Sequence, residues 1–202
     1  MIIKNTKFLV DKGGFSRSSV FLDLLDEMKA AICGVTWPQS ALRFGIRPVR
    51  RGNGVTPIKY QCLSHLKQDG WLVEHRIQLV STERPGPVDA IKLLPNNGAF
   101  ALEWETGNIS SSHRALNKMA VALLERKIRG GALVIPSRSL YEYLTDRVGN
   151  YQELVPYFPI WQNIEFKQGL LVIFEIEHDE VSAEAPLIPK GKDGNAFRSL
   201  IE

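Results

Sequence analysis

Residues 88–108, VDAIKLLPNNGAFALEWETGN, constrain the fold of this chain more than any other stretch. Two apolar segments flank the turn-forming sequence PNNG, and this pattern predicts a β-hairpin. A glycine turn follows, and then a long segment over about residues 110–129 with apolar residues at helical spacing. The sequence therefore predicts two antiparallel strands that lead directly into an amphipathic helix.

The segments on either side of this unit complete a mixed pattern of helices and strands. Helical spacing predicts helices over residues 19–33, 57–70 and 139–150, and apolar runs predict strands over residues 71–82, 130–137 and 169–179. Ser139 is the predicted N-cap of the last helix. We expect an α/β fold with a mixed central β-sheet flanked by helices, in a single domain over residues 1–202.

Composition and motif spacing argue against several classes of protein. Cys33 and Cys62 form no CxxC pair, and neither they nor the four histidines show the spacing of a zinc site. No apolar run reaches the roughly 18 residues needed to span a bilayer, so no membrane association is expected. P-loop and G-x-S-x-G motifs are absent. These observations predict a cytoplasmic protein with reduced thiols.

The basic residues of the chain are unevenly distributed, although the net charge is only +3. Residues 41–60 contain five basic residues and no acidic one, and Arg50 and Arg51 are adjacent. A basic stretch that contains glycine and proline suits contact with phosphate groups. The alternative interpretation is a basic loop that is simply solvated.

Two glutamates end the second strand of the predicted hairpin. Glu103 and Glu105 are two residues apart, so their side chains point to the same face of the strand. Phe100, Leu102 and Trp104 alternate onto the opposite face and are predicted core residues. The glutamates therefore lie on a strand that the core supports.

The hairpin register decides whether Asp89 joins this pair. A two-residue loop turns Asp89 away, because a slip of one residue exchanges the two faces of a strand. A three-residue loop over residues 96–98, with Gly98 in the left-handed conformation, places Asp89 opposite Glu105 and on the same face as Glu103. The turn sequence favours this second register, which gathers three carboxylates.

Three carboxylates on one face repel one another unless water or a cation neutralises them. Mg²⁺ suits such a cluster, because it binds a few carboxylates together with water and phosphate oxygens. One or two such ions can activate water for hydrolysis of a phosphodiester. The residues alone leave two alternatives, a magnesium site and a solvated sheet edge.

The order Asp89, Glu103-Trp104-Glu105, glycine turn and long helix resembles the pattern of the PD-(D/E)xK nucleases. More narrowly, it resembles the BamHI/BglII group of type II restriction endonucleases, in which Glu or Gln replaces the usual lysine. Glu105 stands at that position here. The likeness runs roughly over residues 66–161, within a catalytic core at about 60–180. One departure is that Val88 separates Asp89 from Pro87.

The resemblance implies roles for the acidic residues. Asp89 and Glu103 would be the metal ligands for one or two Mg²⁺ ions per active site, and Glu105 would orient or deprotonate the attacking water. The family often adds an acidic or amide residue about fifteen positions before the aspartate. Glu74 lies at that distance, and Glu83 is the competing candidate.

The predicted helix after the motif opens with SSSHR, and Ser110, Ser111 and Ser112 offer N-cap oxygens. A helix N-terminus beside a metal site can also hold phosphate. His113 and Arg114 follow, and they are either DNA contacts or part of an ordinary exposed first turn.

The resemblance also implies a homodimer that acts on double-stranded DNA. The helix after the motif would contribute to the dimer interface, and two-fold symmetry suits a palindromic target. The candidate DNA-binding residues are Arg50, Arg51, His113, Arg114 and Arg138. A bacterial or archaeal cytoplasm and a cognate DNA methyltransferase are further expectations.

We therefore predict a Mg²⁺-dependent, homodimeric type II restriction endonuclease. One alternative is a repair or structure-specific nuclease of the same superfamily. The other is a non-catalytic DNA-binding protein on this fold, which would bind DNA without cutting it.

Overall fold

A computed structural model describes residues 1–81, 86–145 and 148–190. Its strands are β1 (Ile2–Lys12), β2 (Gly45–Ile46), β3 (Leu72–His75), β4 (Val88–Leu94), β5 (Gly98–Trp104), β6 (Gly130–Pro136), β7 (Gly169–Glu177) and β8 (Glu180–Val181). Its α-helices are α1 (Ser19–Cys33), α2 (Thr56–Gln68), α3 (Ile109–Leu124), α4 (Arg138–Tyr141), α5 (Tyr151–Leu154) and α6 (Phe158–Gln162).

Six strands form one mixed sheet in the order β1-β7-β6-β5-β4-β3. The central strands β7, β6 and β5 are parallel. β1 extends one side and β4 and β3 extend the other, all by antiparallel pairing. Helices cover the sheet, so the predicted fold class is confirmed.

Two apolar cores lie on opposite faces of the sheet. The first core includes Met28 of α1 and Leu66 of α2, which pack with Phe100 of β5. The second includes Met119 of α3 and Trp161 of α6. The alternation of β5 divides its residues between the two, so the prediction that Phe100, Leu102 and Trp104 are core residues is confirmed.

The two outer strands differ from the predicted pattern. β1 was not predicted, because its lysines and asparagine obscure any apolar alternation and only Leu9 and Val10 are fully buried. The strand predicted over residues 71–82 ends at His75. Beyond it the chain leaves the sheet, and the backbone N–H groups of Val80 and Ser81 donate to the Glu125 carboxylate at the end of α3.

The caps of α3 and α4 also correct the prediction. The side chain of Asn108 caps α3 by accepting the Ser111 N–H at 3.3 Å, so the serines that follow are helical residues. α4 is a single turn capped by Ser137 instead of Ser139: the Ser137 hydroxyl accepts the Leu140 N–H, and Ser139 is a residue of the helix. Helix α3 ends at Leu124, earlier than predicted.

None of the helices within the described ranges combines the length and the apolar character that crossing a bilayer requires.

Candidate active site

The β4–β5 hairpin brings Asp89 and Glu103 side by side. Ala90 pairs with Leu102, and the same register places Asp89 opposite Glu103. The backbone N–H of Trp104 donates to Asp89 Oδ2 at 2.8 Å, which fixes the carboxylate against β5. Two carboxylates therefore meet where β4 begins and β5 ends.

The turn of the hairpin lies one residue earlier than predicted, and each side chain still points to its predicted face of the sheet. The connecting residues are Pro95–Asn97, and Leu94 pairs with Gly98. Asn97 takes the left-handed conformation, with φ 57°, that was predicted for Gly98. Because the register moves by two residues, Asp89 stays on the predicted face and only its opposite residue changes.

Two lysines neutralise this pair of carboxylates. Lys59 Nζ of α2 lies 2.5 Å from Asp89 Oδ1, and Lys118 Nζ of α3 lies 2.5 Å from Glu103 Oε1. Lys118 also donates to the carbonyl of Pro87 at 2.8 Å. Burial and the neighbouring Asp89 charge raise the pKa of Glu103, even though Lys118 acts in the opposite direction.

Glu105 lies on the same side of the sheet but turns toward the first turns of α3. Its carboxylate accepts the Gly107 N–H at 2.6 Å and the hydroxyl of the fully buried Ser112. Burial raises the pKa of Glu105 to about 7, although both hydrogen bonds favour its charged form. A carboxylate with a pKa near neutrality suits proton transfer at physiological pH.

Gly107 makes the tight approach of this turn to α3 possible. A Cβ at Gly107 would lie 2.6 Å from Ser111 Oγ, which is closer than a Cβ carbon comes to a non-bonded atom. The glycine after the E-x-E segment therefore has a steric role in placing Ser112 beside Glu105.

The acidic residues open onto a cleft of about 320 Å³ between the hairpin and α3. Its lining includes Lys59, Asp89, Glu103, Glu105, Arg114 and Lys118. All of these side chains are ionisable, so the cleft is suited to charged ligands and not to apolar ones.

The donor chemistry of this cleft fits a hard divalent cation held by two carboxylates. Within residues 1–81, 86–145 and 148–190, no three His, Cys, Asp or Glu side chains converge closely enough to hold a metal ion together. The predicted cluster is therefore a pair, Asp89 and Glu103, with Glu105 held apart by Ser112. Mg²⁺ commonly binds through one or two carboxylates, with water and substrate phosphate completing its shell.

Glu74 lies near the pair but does not line the cleft. The β3–β4 register places it opposite Asp89, its backbone has a positive φ of 53°, and its side chain is exposed. Burial by itself lowers the pKa of Lys59, but the charge and hydrogen bond of Asp89, followed by the charge of Glu74, outweigh burial and raise this pKa. Glu83, the competing candidate, lies outside the described residues.

The adjacent arginines Arg50 and Arg51 lie on an exposed loop before α2. Asn53 ties this loop to two other segments. Its buried amide donates to the carbonyls of Arg47 and Tyr143 at 3.0 Å and accepts the N–H of Ile188 at 3.2 Å. The basic loop is therefore held against the segment that follows β6.

The other predicted DNA contacts occupy different surroundings. Arg138 is largely exposed at the start of α4, 4.0 Å from the Glu153 carboxylate. Arg114 is exposed and lines the cleft. His113 packs instead against Tyr157 and Trp161, with ring centroids 4.5 and 5.5 Å away, in a groove between α3 and α6.

Sequence reasoning missed the site contacts of Lys59, Lys118 and Ser112. In the sequence, Lys59 is one of the five basic residues of the stretch 41–60, and Ser112 is one of the predicted cap residues. The one available signal was the position of Lys118 between the apolar residues Leu116 and Met119, which places it at the edge of the buried stripe of α3. Helical periodicity cannot tell which carboxylate such a lysine meets.

Comparison with known proteins decides the family. The family model described as restriction endonuclease BamHI matches residues 1–195.

The chain belongs to the BamHI restriction endonuclease family.

Two relatives within this family align over nearly the whole chain. "Type II restriction enzyme OkrAI" of Oceanobacter kriegii is 52% identical over 198 residues, which cover 98% of this chain and 100% of OkrAI. "Type II restriction enzyme BamHI" of Bacillus amyloliquefaciens is 32% identical over 203 residues, with coverage of 96% and 93%. The resemblance predicted from the acidic motif is confirmed at the level of the family.

The fold is similar to that of the BglII restriction endonuclease, whose structure was solved in complex with a DNA 16-mer. The TM-score is 0.62, and the match covers 89% of this chain and 80% of BglII. Sequence identity is 8%, so this similarity concerns the fold alone.

Proposed function

We propose that this member of the BamHI family is a type II restriction endonuclease that hydrolyses phosphodiester bonds at a specific sequence in double-stranded DNA. The observation that carries the proposal is the side-by-side placement of Asp89 and Glu103 in the charged cleft beside α3. Hydrolysis of a phosphodiester needs positive charge at the phosphate and a base for water, and the cleft offers candidates for both.

The residues of the cleft divide between binding a cation and managing a proton. Asp89 and Glu103 would hold Mg²⁺, which when bound supplies positive charge to the scissile phosphate and lowers the pKa of water. Glu105 would accept the proton of the attacking water, since its pKa of about 7 lets it exist in both forms near neutral pH. Ser112 and the Gly107 N–H keep its carboxylate oriented.

Two surfaces beside the cleft are proposed to contact DNA. Arg114 lines the cleft itself, and Arg138 lies at the carboxyl end of β6. Arg50 and Arg51 are held near that end of β6, because the loop that carries them is bonded to residues 142 and 143. Arginine side chains suit contact with phosphates and with guanine edges.

The homodimer is proposed from the groove beside α3. This groove is lined by His113, Tyr157 and Ile160, and the Ile160 side chain is 58% exposed. A dimer places two active sites on one duplex, as cutting both strands of a palindrome requires. Sedimentation equilibrium over a range of protein concentrations measures this association directly.

The cellular setting follows from the proposed activity. A site-specific nuclease threatens the DNA of its own cell, so we propose that it is paired with a DNA methyltransferase of the same specificity. We place both in a bacterial or archaeal cytoplasm, where the chain acts as a single domain.

A cleavage assay tests the proposal. The purified protein is incubated with unmethylated phage DNA in Mg²⁺ and, as a control, in EDTA, and the products are separated on a gel. We expect discrete bands that depend on Mg²⁺, and sequencing their ends gives the recognition site. A smear would favour a repair or structure-specific nuclease, and binding without cleavage would favour a non-catalytic protein.

Variants of the carboxylate pair locate the activity within the molecule. Asp89→Asn or Glu103→Gln should abolish cleavage, while DNA binding remains or tightens because repulsion of the phosphate falls. Glu165→Gln, at an exposed position away from the cleft, is the matched control. Cleavage at the wild-type rate by either cleft variant would remove the pair from the mechanism.

A further inference from the structure

Two lysines from opposite layers of the fold converge on the proposed metal ligands. Lys59 belongs to α2, which packs on the first core, and Lys118 belongs to α3, which packs on the second. Each ammonium lies 2.5 Å from a carboxylate oxygen of Asp89 or Glu103. The exposed fractions of the four side chains range only from 12% to 17%, so these are largely buried ion pairs.

Each ammonium contacts a carboxylate oxygen that a bound cation could use. Asp89 Oδ2 accepts the Trp104 N–H, which leaves Oδ1 as the oxygen for a cation, and Lys59 donates to that atom. Lys118 donates to Glu103 Oε1 and is itself anchored by the carbonyl of Pro87. A lysine and a divalent ion repel each other at such distances, so both cannot hold one carboxylate oxygen.

Two adjacent carboxylates are costly to bury without positive charge nearby. The lysines supply that charge in the metal-free protein. Once a divalent cation is bound to the carboxylates, the positive charge of the two lysines is no longer needed there. The ammonium groups then need another anion as partner. The anion that the proposed function brings into this cleft is a phosphate of the DNA backbone.

We propose that Lys59 and Lys118 are internal counter-ions that hold Asp89 and Glu103 in the metal-free protein, compete with the divalent cation for them, and transfer to a DNA phosphate when displaced. This inference rests on the proposed nuclease function. It makes metal and DNA bind cooperatively, because each relieves the repulsion that the other would meet alone. The E-x-E motif has Glu105 where the PD-(D/E)xK pattern has a lysine. The positive charge of that lysine is thus supplied by Lys59 and Lys118 from two helices.

The first test measures Mg²⁺ binding to the whole protein by isothermal titration calorimetry in the absence of DNA. Lys118→Met keeps the aliphatic stem and removes the charge, so Mg²⁺ should bind about tenfold more tightly, as expected for loss of one neighbouring charge. Lys118→Arg retains the charge and should bind Mg²⁺ as weakly as the wild type. Lys59→Met provides the same test from the other helix if the first variant does not fold.

A control lysine separates this effect from the loss of any buried pair. Lys92 lies 3.0 Å from the Glu27 carboxylate and does not line the cleft. Lys92→Met should lower stability without changing Mg²⁺ affinity.

The second test measures binding of a duplex that contains the recognition site, with Ca²⁺ and with EDTA, over a range of salt concentrations. In Lys118→Met, the gain in DNA affinity caused by the metal should shrink. The slope of log affinity against log salt concentration should fall by the amount expected for about one phosphate contact. A merely structural lysine would leave that gain unchanged.

Unchanged or weaker Mg²⁺ binding in both methionine variants would overturn the counter-ion proposal. Failure of the underlying function has a different signature. In that case Mg²⁺ binding would be absent from the wild-type protein or would be the same in Asp89→Asn, and the wild-type protein would leave phage DNA intact.

Discussion

Replacing Glu177 by glutamine tests how the end of β7 is held to the start of α4. Glu177 Oε2 accepts the Ser137 hydroxyl at 2.6 Å and the Ser139 hydroxyl, and Oε1 lies 2.5 Å from His178 Nδ1. Burial by itself raises the pKa of Glu177. The hydrogen bonds from His178, Ser137 and Ser139 outweigh burial and lower this pKa to about 2.

The contribution of the Glu177 carboxylate to the free energy of unfolding follows from its pKa in the folded and unfolded protein. The pKa of Glu177 is about 2 in the fold, against an ordinary value of 4.5 for a solvated glutamate. Since one pKa unit is worth about 1.4 kcal/mol, the charged carboxylate stabilises the fold by about 3 kcal/mol at neutral pH. The folded pKa is depressed, so this stability is present above pH 4.5 and is lost as the pH falls toward 2. Residual solvent screening reduces the observable loss in the variant to about 2 kcal/mol.

Urea unfolding of the metal-free protein, followed by tryptophan fluorescence, gives the free energy of unfolding at pH 7 and at pH 3.5. We expect Glu177→Gln to lose about 2 kcal/mol at pH 7 and distinctly less at pH 3.5, where the wild-type advantage is already disappearing. Glu165→Gln, at an exposed position, is the control for the chemical change. An equal loss at both pH values, or no loss at pH 7, would refute the reasoning.

Three further predictions concern the cleft and the basic loop. Burial raises the pKa of Glu105 to about 7 from 4.5, so the wild-type fold loses stability as the pH rises between these values. Glu105→Gln should therefore be more stable than the wild type at pH 8, by up to about 3 kcal/mol in urea unfolding with EDTA, and much less so at pH 4.5. A constant difference across this range would contradict the assignment. Asn53→Ala removes three side-chain hydrogen bonds to the backbone, including the one that the Ile188 N–H donates, and should cost about 2–4 kcal/mol in thermal or urea unfolding. Asn163→Ala, which removes one exposed hydrogen bond to Pro159, is the control and should cost far less. The double change Arg50→Ala with Arg51→Ala should weaken binding to all DNA sequences alike. It should also lower the slope of log affinity against log salt concentration by the amount expected for about two phosphate contacts. An unchanged slope would mean that the loop is only solvated.

Local sequence pattern is enough to predict the hairpin, the helix that follows it and the face on which the acidic residues lie. Strand alternation fixes that Glu103 and Glu105 share a face, and any odd-length turn brings Asp89 to it. For this reason the prediction of the turn could be wrong by two residues while the pairing of Asp89 with the glutamates survived. The family resemblance depended on the same local pattern, and the match of the family model over residues 1–195 confirms it.

Edge elements were harder to predict, since their sequences carry no strong period. β1 alternates polar residues on an exposed edge, and the two-residue strands β2 and β8 have no pattern at all. Hydrogen bonds between distant segments define these strands, and such bonds leave no local signal.

Which charged side chains meet in the cleft depends on how distant segments pack together. Lys59 and Asp89 are 30 positions apart, and Glu103 and Lys118 are separated by a whole turn and most of a helix. Periodicity states which side of a helix a lysine occupies, but its partner depends on how two helices pack on opposite faces of one sheet. The carboxylates were therefore predictable because their spacing is local, whereas the ammonium groups that balance them were not, because electrostatic pairing acts through space between elements that the sequence keeps apart.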